Sequence, residues 1–204
     1  MLKFLHIGDV HLDTSFYSKS EVLRRVLREG IRKAFSKAVD FCIQQRVDAL
    51  LIAGDLFDND KLSFKTERFL INEFNRLKEN DIRVFYCTGN HDPGHMSYRA
   101  NSIKWPENVY LFKEDKVETV VVKNSNNEDV YSIVSCGHKT NSESRNLVKE
   151  FPIKENKAPH IGLVHTMVTS ANGAGGHDRY LPCSKEDMES KGYDYWALGH
   201  IHKR

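Results

Sequence analysis

The sequence is short of cysteine, proline and net charge, and it has no long apolar run. Its four cysteines, Cys42, Cys87, Cys136 and Cys183, stand far apart, without the paired spacing that builds a zinc knuckle or a redox couple. They read as reduced and mostly buried. Thirty Lys and Arg against 28 Asp and Glu leave a formal charge of +2. The field of the whole molecule is therefore weak, and any contact with a polyanion must be local. The longest uncharged run, 158–176, contains Pro159, His160, His165, Asn172 and several glycines, which argues against a membrane span. Asp9, Asp13 and Glu21 break the apolar block that a secretory signal needs, so the expected compartment is the cytoplasm.

What is present is 204 residues, 40% of them apolar, enough for a sizeable core in one domain covering 1–204. No internal repeat or low-complexity tract interrupts it. Leu2 to Ile7 reads as a strand feeding the polar loop Gly8-Asp9-Val10-His11. A helix is predicted over 20–45, with Leu23, Leu27, Ile31, Phe35, Ala38 and Cys42 on one face. The run 48–53 is apolar on both faces after Asp48, as in a buried parallel strand, and ends at Gly54-Asp55. A second such unit follows, with a helix over 64–80 and a strand over 83–87 that ends at Gly89-Asn90-His91-Asp92. Segments 109–112, 117–123 and 130–136 are β-rich, and strands over 161–165 and 195–198 run into histidines. The expected fold is α/β, a mixed two-sheet sandwich flanked by helices.

Five polar clusters fall at predicted strand ends: Asp9 with His11, Asp55 with Asp58, Asn90 with His91, His165, and His200 with His202. In α/β sheets ligands bind at this edge, so five loops can converge on one crevice. Asp, Asn and His without thiolate suit manganese, iron or zinc ions of five or six coordination. In an extended segment residues i and i+2 point the same way, so each of the pairs Asp9/His11 and His200/His202 can grip one ion, or the latter pair can be split between two. More than four candidate ligands overfill a single ion and favour a binuclear site bridged by Asp55, its ions roughly 3.5 to 4 Å apart. Two divalent ions carry four positive charges, of which two carboxylates cancel half. A bridging hydroxide and a phosphodiester bring the sum to zero.

In that order, Asp9-x-His11, Gly54-Asp55-x-x-Asp58, Gly89-Asn90-His91-Asp92, His165 and Gly199-His200-x-His202 resemble the motifs of the calcineurin-like metallophosphoesterase superfamily over nearly the whole chain. Within it, the wording around residues 6–12, 53–58, 89–93 and 194–202 is similar to the SbcD and YhaO type of DNA repair exonuclease. The resemblance implies Asp9, His11, Asp55 and His202 on one metal, and Asp55, Asn90, His165 and His200 on the other. It further implies that His91 faces the scissile phosphate and protonates the leaving alkoxide, with Asp58 orienting its imidazole. The implied activity is manganese-dependent hydrolysis of DNA phosphodiester bonds by in-line attack of a metal-bridging hydroxide. A phosphatase or small-nucleotide phosphodiesterase with the same site, and a non-catalytic scaffold, are the alternatives. Such relatives carry a carboxyl-terminal capping region that helps to position DNA and contacts an SMC-like ATPase partner, and a homodimer is compatible with the resemblance. The sequence stops two residues after His202, so the fold is expected to be truncated there.

The other histidines are assigned ordinary roles: His6 in the core, and His95, His138, His160 and His177 on the surface or in loops, with His138 also able to border the cleft. On the first predicted helix Arg25, Arg28 and Arg32 form a stripe, read first as a solvated face and alternatively as a seat for a DNA backbone. Phe16, Tyr17 and Tyr98 are read as packing residues, with stacking on bases as the alternative.

Overall fold

The computed structural model describes residues 2–17, 20–58, 62–95, 99–169 and 180–202. Its elements run β1 (Phe4–Ile7), α1 (Glu21–Gln45), β2 (Ala49–Ala53), α2 (Phe64–Lys78), β3 (Arg83–Cys87), β4 (Val109–Phe112), β5 (Glu118–Lys123), β6 (Asp129–Ser135), β7 (His160–His165), α3 (Lys185–Glu189) and β8 (Tyr195–Gly199). One sheet has the order β1-β2-β3-β4 and the other β5-β6-β7-β8. All pairs of the first sheet are parallel, and in the second only β5 runs antiparallel to its neighbour. Strands this parallel must be covered on both faces. That requirement explains why every residue of β2 is buried.

Alternate residues of β2 serve two cores. Leu50 and Ile52 face the helices, packing with Phe35, Val39 and Cys42 of α1 and Leu70, Phe74 and Leu77 of α2. Ala49, Leu51 and Ala53, with Phe85 of the neighbouring β3, face the other sheet, where they meet Ile133, Ile161, Leu163 and Ala197. Beyond the second sheet, Val134 and Val164 pack with Leu147, Phe151 and Met188. Each large side chain removed from water in this way contributes about 1.5–3 kcal/mol. The expected sandwich flanked by helices is therefore the fold observed.

Sequence signals mark the helix ends. Ser20 and Ser63 accept the Leu23 and Thr66 backbone N–H groups as N-caps, and Arg46 ends α1 in the left-handed region at φ 49°. The short α3, absent from the expected elements, is held by a reciprocal capping box between Ser184 and Asp187. Five residues carry too little periodicity to announce a helix. Leu23 and Leu27 were expected on the buried face of α1 but are 46% and 37% exposed, because α2 begins alongside Glu29 and Arg32 and leaves the first turns of α1 uncovered. All four cysteines are free and buried, as expected. Among the described residues no helix is long and apolar enough to cross a membrane.

Candidate metal centre

Because β2 lies against β7 and β8, the carboxyl ends of strands from both sheets meet along one seam. The loops after β1 and β2 continue side by side as if still paired. The N–H groups of Asp9, His11 and Leu12 donate to the carbonyls of Gly54, Asp55 and Leu56 at 3.1, 3.0 and 3.0 Å, and Asp58 N–H returns to Leu12 at 3.2 Å. This pairing sets Asp9 and His11 beside Asp55 and Asp58. The sheets approach closely here for want of side chains. A Cβ on Gly199 would fall on the Ala53 carbonyl oxygen, and one on Gly54, whose φ is +77°, would fall on the His165 imidazole.

Four of the seven residues expected to ligate metal sit on backbone with positive φ: Asp9 at 53°, His11 at 49°, Asp55 at 50° and His200 at 104°. Such values are uncommon outside glycine and cluster at functional sites, where the surrounding structure must hold them.

His11 and His165 are each aimed by one nitrogen. His11 Nδ1 bonds Asp58 Oδ1 at 2.9 Å, which turns Nε2 inward to 3.3 Å from His202 Nε2 and 3.8 Å from Asp55 Oδ2. His165 Nδ1 donates to the Ala53 carbonyl at 2.9 Å, so its Nε2 stands 3.0 Å from Asn90 Oδ1 and 3.3 Å from Asp55 Oδ2. The Asp55 Oδ2 oxygen thus lies between His11 and His165, while Oδ1 accepts the His91 backbone N–H at 2.9 Å. Asp9 receives the His200 backbone N–H on both oxygens, at 3.1 and 3.0 Å, and stands 3.1 Å from His202 Nε2. The His200 ring lies 5.2 Å from that of His165 and 5.7 Å from Tyr180. Donor atoms of Asp9, His11 and His202 lie within 4.8 Å of one another, as do those of Asp9, Asp55 and His165.

This donor set fits divalent cations. Oxygen and imidazole nitrogen without sulfur suit manganese, iron or zinc, and two imidazole nitrogens facing each other beside a carboxylate present lone pairs to a common point. Burial pushes the Asp55 carboxyl up, but the neighbouring His165 charge and hydrogen bond outweigh this and hold it well below the usual carboxylate range. His165 is correspondingly lifted to about 9 against the opposing effect of burial. A cation bound there would take the place of that proton.

His91 stands at the open side, its side chain 50% exposed, with Nδ1 3.3 Å from the same Asp58 oxygen that holds His11. The hydrogen bond to Asp58 raises its pKa despite partial burial. Burial would raise the Asp58 carboxyl, yet its bonds to His11 and His91 bring it well below the ordinary range. Asp58 thus lies against both His91 and His11 through one oxygen.

Two residues here have a larger part than the sequence reading gave them. Asp92, 2% exposed, accepts N–H bonds from Asp55 at 3.2 Å and Gly89 at 2.6 Å on Oδ1, and from Leu56 at 2.6 Å on Oδ2, where the Tyr86 hydroxyl also donates. Burial and the charge of Asp55 raise its pKa to about 6. In the sequence it stands as the last residue of the Gly89-Asn90-His91-Asp92 motif, without a role of its own. His138, expected on the surface or in a loop with the border of the cleft as the alternative, is fully buried and bonds the His165 carbonyl through Nε2 at 2.8 Å. Burial, then the His165 charge, lower its pKa to about 4.

Other expectations are corrected. His160 is buried at the start of β7, where its N–H meets Asp194 at 2.8 Å. Arg32 leaves the basic stripe to bond Asp13 at 3.1 Å and Thr66 at 3.0 Å in the interior, and Arg28 Nε bonds the Thr14 carbonyl at 3.0 Å. Tyr17 is fully exposed rather than packed. Two further readings agree with the structure: His6, half-buried, bonds the Tyr195 hydroxyl at 3.1 Å, and His95 is exposed. His177 and Tyr98 lie outside the described residues.

The model of the calcineurin-like phosphoesterase family matches residues 2–204. The chain is 34% identical over 206 residues to an uncharacterized metallophosphoesterase, YhaO, of Bacillus subtilis, spanning 100% of this chain and 49% of that one. It is 26% identical over 211 residues to the DNA double-strand break repair protein Mre11 of Methanocaldococcus jannaschii, spanning 100% and 52%. It is 25% identical over 218 residues to Mre11 of Sulfolobus acidocaldarius, spanning 100% and 50%. The chain thus spans about half the length of these curated relatives.

Proposed function

Because the chain belongs to the calcineurin-like phosphoesterase family, we propose that it is a metal-dependent phosphodiesterase that hydrolyses DNA with a pair of divalent ions, manganese foremost. The observation that carries this reading is the position of Asp55 Oδ2, 3.8 Å from His11 Nε2 on one side and 3.3 Å from His165 Nε2 on the other. A carboxylate so placed can serve two cations at once. Asp9, His11, Asp55 and His202 would hold one, and Asp55, Asn90, His165 and His200 the other. When bound, such a pair supplies Lewis acidity to a phosphoryl group and makes water available as a nucleophile near neutral pH.

The remaining work belongs to the protein's own groups. His91 keeps Nδ1 on Asp58, so its Nε2 is directed away from that bond and is free to give a proton to the departing oxygen. Asp58 favours the charged imidazole that such a donor requires. The backbone bond from His91 to Asp55 ties the acid to the shared carboxylate, so proton donor and ligand keep a constant separation.

DNA is proposed as the substrate on the strength of the Mre11 relatives, which are described as DNA double-strand break repair proteins. An SMC-like ATPase partner and a homodimer belong to the same proposal. The test compares turnover on single- and double-stranded DNA, a cyclic nucleotide and a phosphomonoester, each with manganese and with chelator. DNA cleavage that needs manganese and exceeds the small esters in kcat/KM is expected. Turnover of small esters alone would overturn the DNA assignment, and no turnover of any of them would overturn the enzyme.

A further inference from the structure

His138 lies three residues beyond the end of β6, outside every cluster that drew attention in the sequence, yet it is fully buried under the seam. Its backbone and side chain engage different loops. The His138 N–H donates to the Thr88 carbonyl at 3.1 Å, and its own carbonyl accepts the Gly94 N–H at 2.8 Å and the Thr88 hydroxyl at 2.9 Å. Thr88 and Gly94 bracket the loop that carries Asn90 and His91. On the other side, the His138 imidazole donates Nε2–H to the main-chain carbonyl of His165 at 2.8 Å, with the two rings 5.5 Å apart and edge-on. A carbonyl can only accept, so this contact requires the proton on Nε2. The other nitrogen, Nδ1, is buried and has no hydrogen-bond partner among the described residues. The single polar function of this side chain is therefore the bond to His165.

We propose that His138 is a positioning residue that clamps the Asn90 loop of one sheet to the His165 strand end of the other, and so sets the 3.0 Å approach of Asn90 Oδ1 to His165 Nε2. This inference rests on the two-ion reading, in which Asn90 and His165 serve the same cation. A clamp of this kind governs one half of the centre only, because Asp9, His11 and His202 have no bond to His138. A buried carbonyl left without its donor would also relax toward another partner and carry the His165 backbone with it.

The test uses two polar variants that differ in where the donor sits. His138→Gln can place an amide N–H where Nε2 was, whereas His138→Asn holds it back near the position of Nδ1. Manganese binding is measured by titration calorimetry on metal-free protein, with thermal unfolding of each variant without metal. Wild type is expected to bind two ions. His138→Asn is expected to weaken one of the two sites about tenfold to hundredfold and spare the other, in line with other groups that orient ligands. His138→Gln is expected to recover most of that loss. Two wild-type affinities in His138→Asn would overturn the clamp while leaving the two-ion centre standing. Equal weakening of both sites in both variants, with an equal fall in metal-free unfolding temperature, would also overturn it, since that is the mark of general destabilisation. A wild type that binds fewer than two ions would overturn the two-ion reading and the clamp together.

Discussion

Asp58 Oδ1 and His11 Nδ1 are 2.9 Å apart across 47 residues of sequence, and this bond decides which nitrogen of His11 faces the cluster. The same oxygen holds His91 at 3.3 Å. Asp58 therefore serves two imidazoles of different purpose, one expected to hold a cation and one expected to give a proton. Asp58→Ala should lower manganese affinity about tenfold to hundredfold, as loss of a ligand-orienting carboxylate does elsewhere, and should depress turnover as well. Calorimetric titration beside a phosphodiesterase assay measures both. Unchanged metal affinity would confine Asp58 to His91.

His91→Ala separates the two purposes. Its side chain is half exposed and its ring lies edge-on to that of His11, 4.8 Å away. Removal of the imidazole should cut kcat about a hundredfold to ten-thousandfold and leave metal content by elemental analysis at the wild-type value. Wild-type turnover in this variant would remove His91 from the chemistry.

Asp92 gathers three backbone N–H groups and the Tyr86 hydroxyl under the ligand loops. Asp92→Ala strands buried donors and should cost about 3 kcal/mol or more, a fall of about 6–12 °C in unfolding temperature for a chain of this size. Tyr86→Phe removes one donor and should cost about 1 kcal/mol. Differential scanning calorimetry of the two variants measures the ratio, and equal small losses would show that Asp92 carries little.

Away from the seam, Glu29 joins α1 to α2 through Lys65 and Arg32. Its bonds to Lys65 and then Arg32 lower its pKa from 4.5 to about 2. A carboxyl whose folded pKa is depressed contributes stability that is complete above the unfolded value and lost as pH falls through the folded one. The stability difference between wild type and Glu29→Gln should therefore be constant above pH 4.5 and fade toward pH 2. The side chain is 37% exposed, so screening limits the effect to about 1 kcal/mol or less. Unfolding temperatures measured from pH 7 to pH 2 give the profile, and a gap that persists unchanged to pH 2 would contradict it.

Strands and site loops were legible in the sequence because both rest on local signals. Short β-rich apolar runs such as Leu50–Ala53 read as buried strands, and the glycine-bounded polar clusters at their ends read as loops. What stayed hidden depends on distant partners. Arg32 reads as one more cation on a helix until Asp13 and Thr66 are found beside it. Asp92 reads as the end of a motif and His138 as a loop residue able to border the cleft, but their importance comes from carbonyls and N–H groups contributed by other segments, which no local pattern encodes. Leu23 and Leu27 obey helical periodicity, but periodicity cannot say where the covering helix begins.

The seam itself has a mechanical consequence. Asp9, His11, Asp55 and Asn90 ride on one sheet, and His165, His200 and His202 ride on the other. Opening the interface beneath them separates every donor pair that spans it, His165 from Asn90 and Asp55 and His202 from Asp9 and His11. Catalytic competence should thus behave as a switch thrown by the docking of the sheets, and bound cations would act as rivets across the joint, holding it shut from the outside.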